Sequence, residues 1–313
     1  MTSLAGAALV NGNKQLVVDA PAKMAEAEHE MEALVFQGSI MRILRNLRAA
    51  VRLFAFLALT LPLMLVQYFL IAFGLPQAKT LPHRYHKLVC RLLGVRVKVI
   101  GSLDAARPAL LVSNHVSWLD IPALSSAGPV CFVAKAEVSR WPFVSLLAKL
   151  QRTVFVDRTR RTLVKNKASE IADRLAQGDN IVLFAEGTSS DGNRVLPFRS
   201  SLFSAALLEP AATGCKSPDV SVQTVAITYT HLHGLPIMRH ERPAIAWYGD
   251  MDMLSHAWNV LKSGPVDVTI SIGEPVPLAS LRDRKELAAF SEARVRRDYV
   301  DQLTSRPRAA YSQ

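Results

Sequence analysis

The sequence lacks the cysteine pattern of a disulfide-stabilised or zinc-binding protein. Its 313 residues include three cysteines, Cys90, Cys131 and Cys215, which are far apart and odd in number. Because no CxxC pair occurs, the sequence predicts neither a disulfide framework nor a cysteine-based metal site. A reducing environment such as the cytosol suits these thiols best, and core packing is their expected role.

Several targeting and catalytic motifs are missing as well. Residues 1–22 are small and polar without the charged-then-apolar order of a secretory signal, and we predict that they are disordered. The chain contains no Gly-x-Ser-x-Gly and no His-Glu-x-x-His. These absences disfavour a serine nucleophile and a catalytic zinc, so we expect no metal ion and no resident cofactor.

Acidic residues are few relative to basic ones. The chain has 37 Lys and Arg against 26 Asp and Glu, a formal net charge of +11, and half of its residues are hydrophobic. A basic surface suits anionic lipid, nucleic acid or an anionic substrate. The arginines fall near an apolar segment and in the last quarter of the chain, not in one patch interleaved with aromatics. We therefore favour a lipid partner and keep nucleic-acid binding as a rival that rests on net charge alone.

Residues 53–73 form an apolar run without a charged residue, long enough to cross a bilayer. Arginines precede the run and place the N-terminus in the cytoplasm by the positive-inside rule: Arg42, Arg45, Arg48 and Arg52. Because Pro62 lies in the middle, we predict a kinked segment that is only partly embedded in the membrane. A buried core helix is the alternative.

The periodicity of the sequence indicates four regions. These are a disordered N-terminus (1–22), an amphipathic and membrane-embedded helical region (23–93), a folded domain (94–304) and a flexible tail (305–313). The predicted strands of the folded domain are residues 95–100, 109–112, 130–134, 153–156, 181–184, 222–228 and 266–272. The predicted helices are residues 161–176, 201–211, 253–262 and 279–304. This alternation predicts an α/β fold with a mixed, largely parallel sheet flanked by helices.

His115 and Asp120 follow the apolar strand 109–112 and form the first candidate site. A near-neutral imidazole can take a proton from a hydroxyl, and a carboxylate can hold the ring and stabilise the imidazolium. Five residues of helix turn through about 500°, so the pair meets only if His115 lies in the turn and Asp120 in the first helical turn. A helix cap or an ordinary surface pair is the alternative.

The strand 181–184 leads into a second candidate site, with Glu186, Gly187 and Thr188 in a short loop. Such loops at the carboxyl ends of strands commonly bind ligands. Gly187 allows the backbone to approach a ligand closely, and Glu186 can accept a hydrogen bond from a ligand hydroxyl. An ordinary turn is the alternative.

Cations at the ends of two further strands suggest an anion site. Arg158 follows Phe155 at the end of strand 153–156, and Lys135 follows strand 130–134. A guanidinium fork pairs two oxygens of a phosphate or carboxylate at once. Each cation by itself is more commonly a surface charge. A separate helix at residues 81–93, ended by Gly94, places His83, His86 and Cys90 on one face, where we expect packing and not a metal site.

These motifs together resemble the glycerolipid acyltransferase family, which contains bacterial 1-acyl-sn-glycerol-3-phosphate acyltransferase. The matching residues, in family order, are Asn114, His115 and Asp120; Phe155 and Arg158; Phe184, Glu186, Gly187 and Thr188; and the hydrophobic strand at residues 224–227. Their order and spacing agree over about residues 80–275. Ala185 and Thr224 replace prolines of the family pattern, Ser189 replaces an arginine, and Arg152 replaces a glycine. The run 186–198 resembles the subgroup of lyso-ornithine lipid acyltransferases.

The resemblance implies transfer of a fatty acyl group from an acyl thioester to the hydroxyl of a lysolipid. It implies His115 as the base and Asp120 as its partner, with substrate contacts at Asn114, Lys135, Phe155, Arg158, Glu186, Gly187 and Thr188. We take 1-acyl-sn-glycerol-3-phosphate as the first acceptor and lyso-ornithine lipid as the alternative. The expected donor is acyl carrier protein or coenzyme A thioester, and the expected location is the cytoplasmic face of the inner membrane. Rivals are thioester hydrolysis by the same base and an inactive membrane-bound scaffold, while the oligomeric state stays open.

Overall fold

The structure used here is a computed structural model that describes residues 7–156, 170–205 and 219–304. The chain divides into two compact units between Val51 and Arg52. The first unit is helical throughout its described residues. The second unit contains a sheet with helices packed against it.

The first helix, α1, runs over Ala7–Ala72. Its part Leu34–Ala72 is long enough and apolar enough to cross a bilayer, as predicted for residues 53–73. Helix α1 continues through Pro62 without interruption, so Pro62 does not end the helix, and the kinked, partly embedded segment stays a prediction. Proline removes one backbone donor, and the surrounding leucine, alanine and phenylalanine residues sustain the helix on both sides.

The predicted disorder of residues 1–22 also differs from the structure. Residues 7–22 continue helix α1, and residues 1–6 lie outside the described part. Most residues of this stretch tolerate helical backbone, so a helix that has formed further along the chain can propagate through them. The tail at residues 305–313 lies outside the described residues.

Helix α2 runs over Gln77–Leu93 and ends at Gly94 in the left-handed conformation, with φ of 77°. This confirms Gly94 as the predicted helix stop, since glycine adopts positive φ without steric cost. His83 shares a 2.8 Å hydrogen bond with the carbonyl of Ser125, and Cys90 is buried. The face that holds both residues therefore packs against the domain, as predicted.

The described strands form one nine-stranded sheet. They are β1 Val95–Ile100, β2 Ala109–Ser113, β3 Cys131–Lys135, β4 Val154–Val156, β5 Ile181–Phe184, β6 Ser221–Leu232, β7 Leu235–Pro236, β8 Val266–Ile272 and β9 Val276–Pro277. The order across the sheet is β1-β8-β6-β2-β5-β3-β4. All neighbours along this path are parallel except β6 and β8, and the short β7 and β9 pair antiparallel with β6. The predicted mixed, largely parallel sheet is thus confirmed.

Further helices of the sheet domain include α3 Asp120–Ala127, α4 Pro142–Leu150, α5 Met253–Lys262 and α6 Arg284–Leu303. Helix α5 has the predicted bounds, and α6 begins five residues later than predicted because Asp283 caps its first turn. The predicted helix at 161–176 is described only from residue 170 onward, where it is helical. The predicted helix at 201–211 is a 3-10 turn in its described part, Ser200–Ala205.

The main core lies between the sheet and α6. Leu287 and Val295 of α6 are buried in one cluster with Leu110 and Val112 of β2. Every residue of β2 is buried, as expected for a central strand that is covered on both faces. A rigid central strand therefore leads directly into the turn that carries His115.

The register of the sheet brings the predicted site loops together. Ser113, the last residue of β2, pairs with Phe184, the last residue of β5, and also with Val225 of β6. Lys135, the last residue of β3, pairs with Val156 of β4. Because these strands are parallel, the loops after β2, β5, β3 and β4 all leave from the same edge of the sheet.

Candidate active site

His115 and Asp120 form a hydrogen-bonded pair at this edge. Nδ1 of His115 lies 2.8 Å from Oδ2 of Asp120. His115 lies in the turn after β2, and Asp120 is the first residue of α3. This is the geometry that the sequence required for the pair, and it is confirmed.

The Asp120 carboxylate is fully buried and accepts hydrogen bonds from several donors. Oδ2 also accepts from the backbone N–H groups of Val116 at 2.7 Å and Ser117 at 3.0 Å, and Oδ1 accepts from the Tyr229 hydroxyl at 2.7 Å. Surrounded by donors, the carboxylate acts as an acceptor towards His115 too. Nδ1 of His115 therefore carries the proton, and Nε2 is left as the basic nitrogen.

Tyr229 was not identified from the sequence. Its side chain is buried in β6, and burial together with the negative charge of Asp120 raises the pKa of the hydroxyl well above its usual value. The hydroxyl therefore remains a hydrogen-bond donor across the physiological pH range. Only the predicted strand at 222–228 hinted at its position, since the next residue of that strand is Tyr229.

The imidazole of His115 is also held by stacking. It lies on the ring of Phe184 with a centroid distance of 4.0 Å and an interplanar angle of 19°. Phe184 stacks in turn on buried Phe132 at 6.1 Å. The His115 side chain is 19% exposed, so the ring plane is fixed while one edge stays accessible.

Asn114 is buried beside His115, and both ends of its amide are occupied. Its Oδ1 accepts from the backbone N–H of Ile227 at 2.8 Å, and its Nδ2 donates to the Ile227 carbonyl at 3.0 Å. The side chain thus joins the catalytic turn to β6. A substrate contact at Asn114 stays a prediction.

Glu186 follows β5, and its side chain is buried next to the His115 turn. Oε1 accepts from the backbone N–H of Leu196 at 3.3 Å, whereas Oε2 is buried without a hydrogen-bond partner among the described residues. Burial raises the pKa of this carboxyl to about 8, and backbone hydrogen bonds from Leu196 and His115 offset part of that rise. Near neutral pH the side chain is therefore largely protonated and can donate a hydrogen bond as well as accept one.

The loop after Glu186 is tied to the His115 turn. Gly187 has φ of 74°, a conformation that favours glycine. The backbone N–H of Ser190 donates to the carbonyl of His115 at 2.9 Å. Thr188 is exposed at the tip of this loop. The structure thus brings the first and second predicted motifs together, while the substrate contacts of Gly187 and Thr188 stay predictions.

Ser189 stands where the resemblance leads one to expect arginine. Its hydroxyl donates to the carbonyl of Trp247 at 2.5 Å, and the backbone N–H of Trp247 donates to the carbonyl of Val116 at 3.0 Å. The serine therefore fastens the segment between β7 and α5 to the Glu186 loop, and the backbone bond of Trp247 fastens the same segment to the His115 turn. In the same region the indole N–H of Trp118 donates to Nδ1 of buried His256 at 3.0 Å.

The predicted anion site is described only in part. Lys135 is exposed at the end of β3, and Phe155 is half-buried in β4, but Arg158 lies outside the described residues. The anion site therefore stays a prediction. Arg152, which replaces a family glycine, has φ of 62° and pairs with Asp179 at 2.6 Å.

Comparisons with known proteins agree with this geometry. The family model described as Acyltransferase matches residues 95–228. The lyso-ornithine lipid O-acyltransferase of Brucella abortus is 47% identical over 242 residues, which cover 77% of this chain and 90% of that protein. The lyso-ornithine lipid O-acyltransferase of Rhizobium meliloti is 44% identical, with 80% of this chain and 85% of that protein covered.

Two further comparisons extend the range of similarity. The 1-acyl-sn-glycerol-3-phosphate acyltransferase of Neisseria meningitidis is 29% identical over 215 residues, which cover 66% of this chain and 78% of that protein. The crystal structure of the 1-acyl-sn-glycerophosphate acyltransferase from Thermotoga maritima matches with a TM-score of 0.59 and 24% identity, covering 88% of this chain and 99% of the other. This structural likeness concerns the fold.

Proposed function

The chain belongs to the acyltransferase family, and we propose that it transfers a fatty acyl group from a thioester to the hydroxyl of a lyso-ornithine lipid. The main support for acyl transfer is the hydrogen bond between His115 and Asp120. It leaves Nε2 of the imidazole free to act as a base on a ring that is partly exposed. The acceptor is supported by relatives named for that reaction, which are 47% and 44% identical to this chain.

The choice of lyso-ornithine lipid as the first candidate acceptor is a correction of the choice made from the motifs. The sequence motifs favoured 1-acyl-sn-glycerol-3-phosphate as the acceptor, with lyso-ornithine lipid as the alternative. The comparisons support the second better, since the relative from Neisseria meningitidis that is named for the glycerol phosphate acceptor is 29% identical. Because that relative is similar to this chain, we retain 1-acyl-sn-glycerol-3-phosphate as the second candidate acceptor.

The transfer step follows from the positions of the side chains. Nε2 of His115 removes the proton from the acceptor hydroxyl, and the oxygen attacks the thioester carbonyl to form a tetrahedral intermediate. As the carbon–sulfur bond breaks, the imidazolium returns the proton to the departing thiolate, leaving an ester and a free thiol. The buried Asp120 carboxylate stabilises the imidazolium between these two proton transfers.

Other groups at the sheet edge bind and orient the reactants in this proposal. Backbone N–H groups near Asn114 or Gly187 are candidates to stabilise the oxyanion. The protonated carboxyl of Glu186, whose Oε2 has no partner among the described residues, can hydrogen-bond to a polar group of the acceptor. Lys135 and Arg158 are the candidate partners for the free carboxylate of the amino-acid head, and Phe155 is a further candidate substrate contact.

The donor and the location complete the proposal. We take the donor to be a thioester of acyl carrier protein or of coenzyme A, which requires a site that faces the cytoplasm. Helix α1 supports association with a membrane, because Leu34–Ala72 is apolar and long enough to cross one. The proposed location is the inner membrane, with the sheet domain on its cytoplasmic side.

The test offers lyso-ornithine lipid and lysophosphatidate in parallel to membranes that contain the chain, with a labelled acyl carrier protein thioester as donor. His115→Ala is the inactive reference, and His240→Ala, which alters an exposed histidine, is the matched control. We expect ornithine lipid that depends on His115 and not on His240. If phosphatidate were the only product, lysophosphatidate would be the acceptor. If free fatty acid were the only product, the reaction would be thioester hydrolysis and not acyl transfer.

A further inference from the structure

The beginning of helix α4 exposes a group of large apolar side chains. Trp141 is 37% exposed, Phe143 40% and Leu146 46%. Ser145 and Leu150 of the same helix are buried. Single exposed apolar residues are common, but three large ones within six positions of the chain are a feature that marks interaction surfaces. We call Trp141, Phe143 and Leu146 the α4 face.

The α4 face is connected to the active site. The Trp141 ring meets the Trp247 ring edge to face, with a centroid distance of 6.0 Å. The backbone of Trp247 is bonded to Val116 in the catalytic turn, and its carbonyl accepts from Ser189. A partner bound to the α4 face therefore lies beside the segment that borders His115.

The charges around the α4 face suit an anionic partner. Arg140 precedes the face and Lys149 follows it, and both are exposed. Neither forms an ion pair within residues 7–156, 170–205 and 219–304. Glu137 is the nearby acid, and helix α4 itself contains none. Tryptophan with flanking basic residues is typical of contacts with lipid headgroups.

The α4 face is also connected to the apolar helix α1. Nε2 of Gln67, in the last turns of α1, donates to the carbonyl of Leu150 at the end of α4 with a distance of 2.9 Å. The next two residues of α1, Tyr68 and Phe69, are 60% and 55% exposed. An apolar surface of the membrane-associated helix thus continues towards α4, and this continuity favours a lipid bilayer over a soluble partner.

We propose that the α4 face is a second membrane contact, in which Trp141, Phe143 and Leu146 enter the headgroup region of an anionic bilayer. The contact holds the edge of the sheet that carries His115 against the membrane surface. A lipid acceptor then reaches the imidazole directly from the bilayer. The contact is independent of which lysolipid is the acceptor.

The test uses the full chain in vesicles of phosphatidylglycerol and phosphatidylethanolamine that contain brominated lipid, which quenches nearby tryptophan fluorescence. We expect strong quenching in the native protein and a loss of the quenched component in Trp141→Phe. Trp258→Phe, which alters a half-buried tryptophan of α5, is the matched control and should leave the quenching unchanged. Equal quenching of native protein and Trp141→Phe would overturn the proposal, as would protection of Trp141 by acyl carrier protein and not by lipid.

A second measurement separates this proposal from the proposed function. Phe143→Ser with Leu146→Ser should lower transfer to an acceptor in vesicles by about tenfold, and transfer to the same acceptor in detergent micelles should be retained. Leu254→Ser, at an 81% exposed leucine of α5, is the control for loss of an exposed apolar side chain. An equal loss in both assays would contradict a membrane contact. The quenching result needs no turnover, so it stands even if the acceptor is different.

Discussion

The hydroxyl of Tyr229 donates a 2.7 Å hydrogen bond to Oδ1 of Asp120, the oxygen that His115 does not use. The two residues are 109 positions apart in the chain. Because Oδ2 already serves His115 and two backbone N–H groups, the contact with Tyr229 restrains rotation of the carboxylate about its last bond. Tyr229 therefore holds the carboxylate that pairs with His115, and we expect it to act as a positioning residue.

Tyr229→Phe should lower kcat by about tenfold with little change in KM, since it leaves a buried carboxylate oxygen without its donor. The measurement is steady-state transfer together with thermal unfolding of the same preparation. Tyr248→Phe, at a half-buried tyrosine outside the site, serves as control. An unchanged kcat in a folded Tyr229→Phe protein would remove the positioning role.

Asp120→Asn should lower kcat by about a thousandfold or more while preserving most of the fold. The amide oxygen can still accept from the backbone N–H groups of Val116 and Ser117, but it cannot stabilise an imidazolium. Asp120→Ala should lose activity and also stability, because both N–H groups lose their acceptor. The comparison requires rates and melting temperatures for both variants; similar rates for Asp120→Asn and the native protein would exclude the proposed base.

Glu186 should make the protein less stable as the pH rises from about 4.5 to about 8. Burial raises the pKa of its carboxyl from the usual 4.5 to about 8 in the folded protein. In this pH range the folded state holds a proton that the unfolded chain releases, so the free energy of unfolding falls as the pH increases. Glu186→Gln should weaken this decline, which melting temperatures at pH 5 and pH 8 would reveal. If the stability of both proteins declined by the same amount, titratable groups other than Glu186 would be responsible for the decline.

Asn114→Ala should reduce the free energy of unfolding by about 2–4 kcal/mol, because it leaves a buried N–H and a buried carbonyl of Ile227 unpaired. Asn259→Ala, at an exposed position of α5, should change stability little. Thermal or denaturant unfolding of the two variants in detergent measures the difference. If Asn114→Ala were as stable as Asn259→Ala, the hydrogen bonds between the Asn114 amide and Ile227 would not contribute to stability.

The longer strands of this protein were predictable because each is either an apolar run, as at residues 181–184, or an alternation of apolar and polar residues, as at 95–100 and 266–272. Residues 95–100, 181–184 and 266–272 have the predicted bounds in the structure. Helix α4 was missed, and α3 was expected only as a helical turn at Asp120, because the two helices contain 9 and 8 residues, too few for a clear helical period. The two-residue strands β7 and β9 are visible only through their pairing with β6.

The catalytic pair was predictable from local spacing, but its supports were not. His115 and Asp120 lie five residues apart, and the turn between them follows from a strand that ends in polar residues. Tyr229 and Ile227 reach this turn only through the pairing of β6 with β2, which no local pattern encodes. The acceptor was ordered wrongly for a similar reason, since the shared motifs specify the acyl-transfer chemistry more than the lipid head.

The ties between the His115 turn and β6 also determine when the site can exist during synthesis. Asn114 is held by Ile227 and Asp120 by Tyr229, and both partners are translated more than a hundred residues after the turn itself. A nascent chain on the ribosome therefore displays the membrane helix and the His115 segment before it can order the base. For the function proposed above, this order means that the base is completed only after helix α1 has been translated.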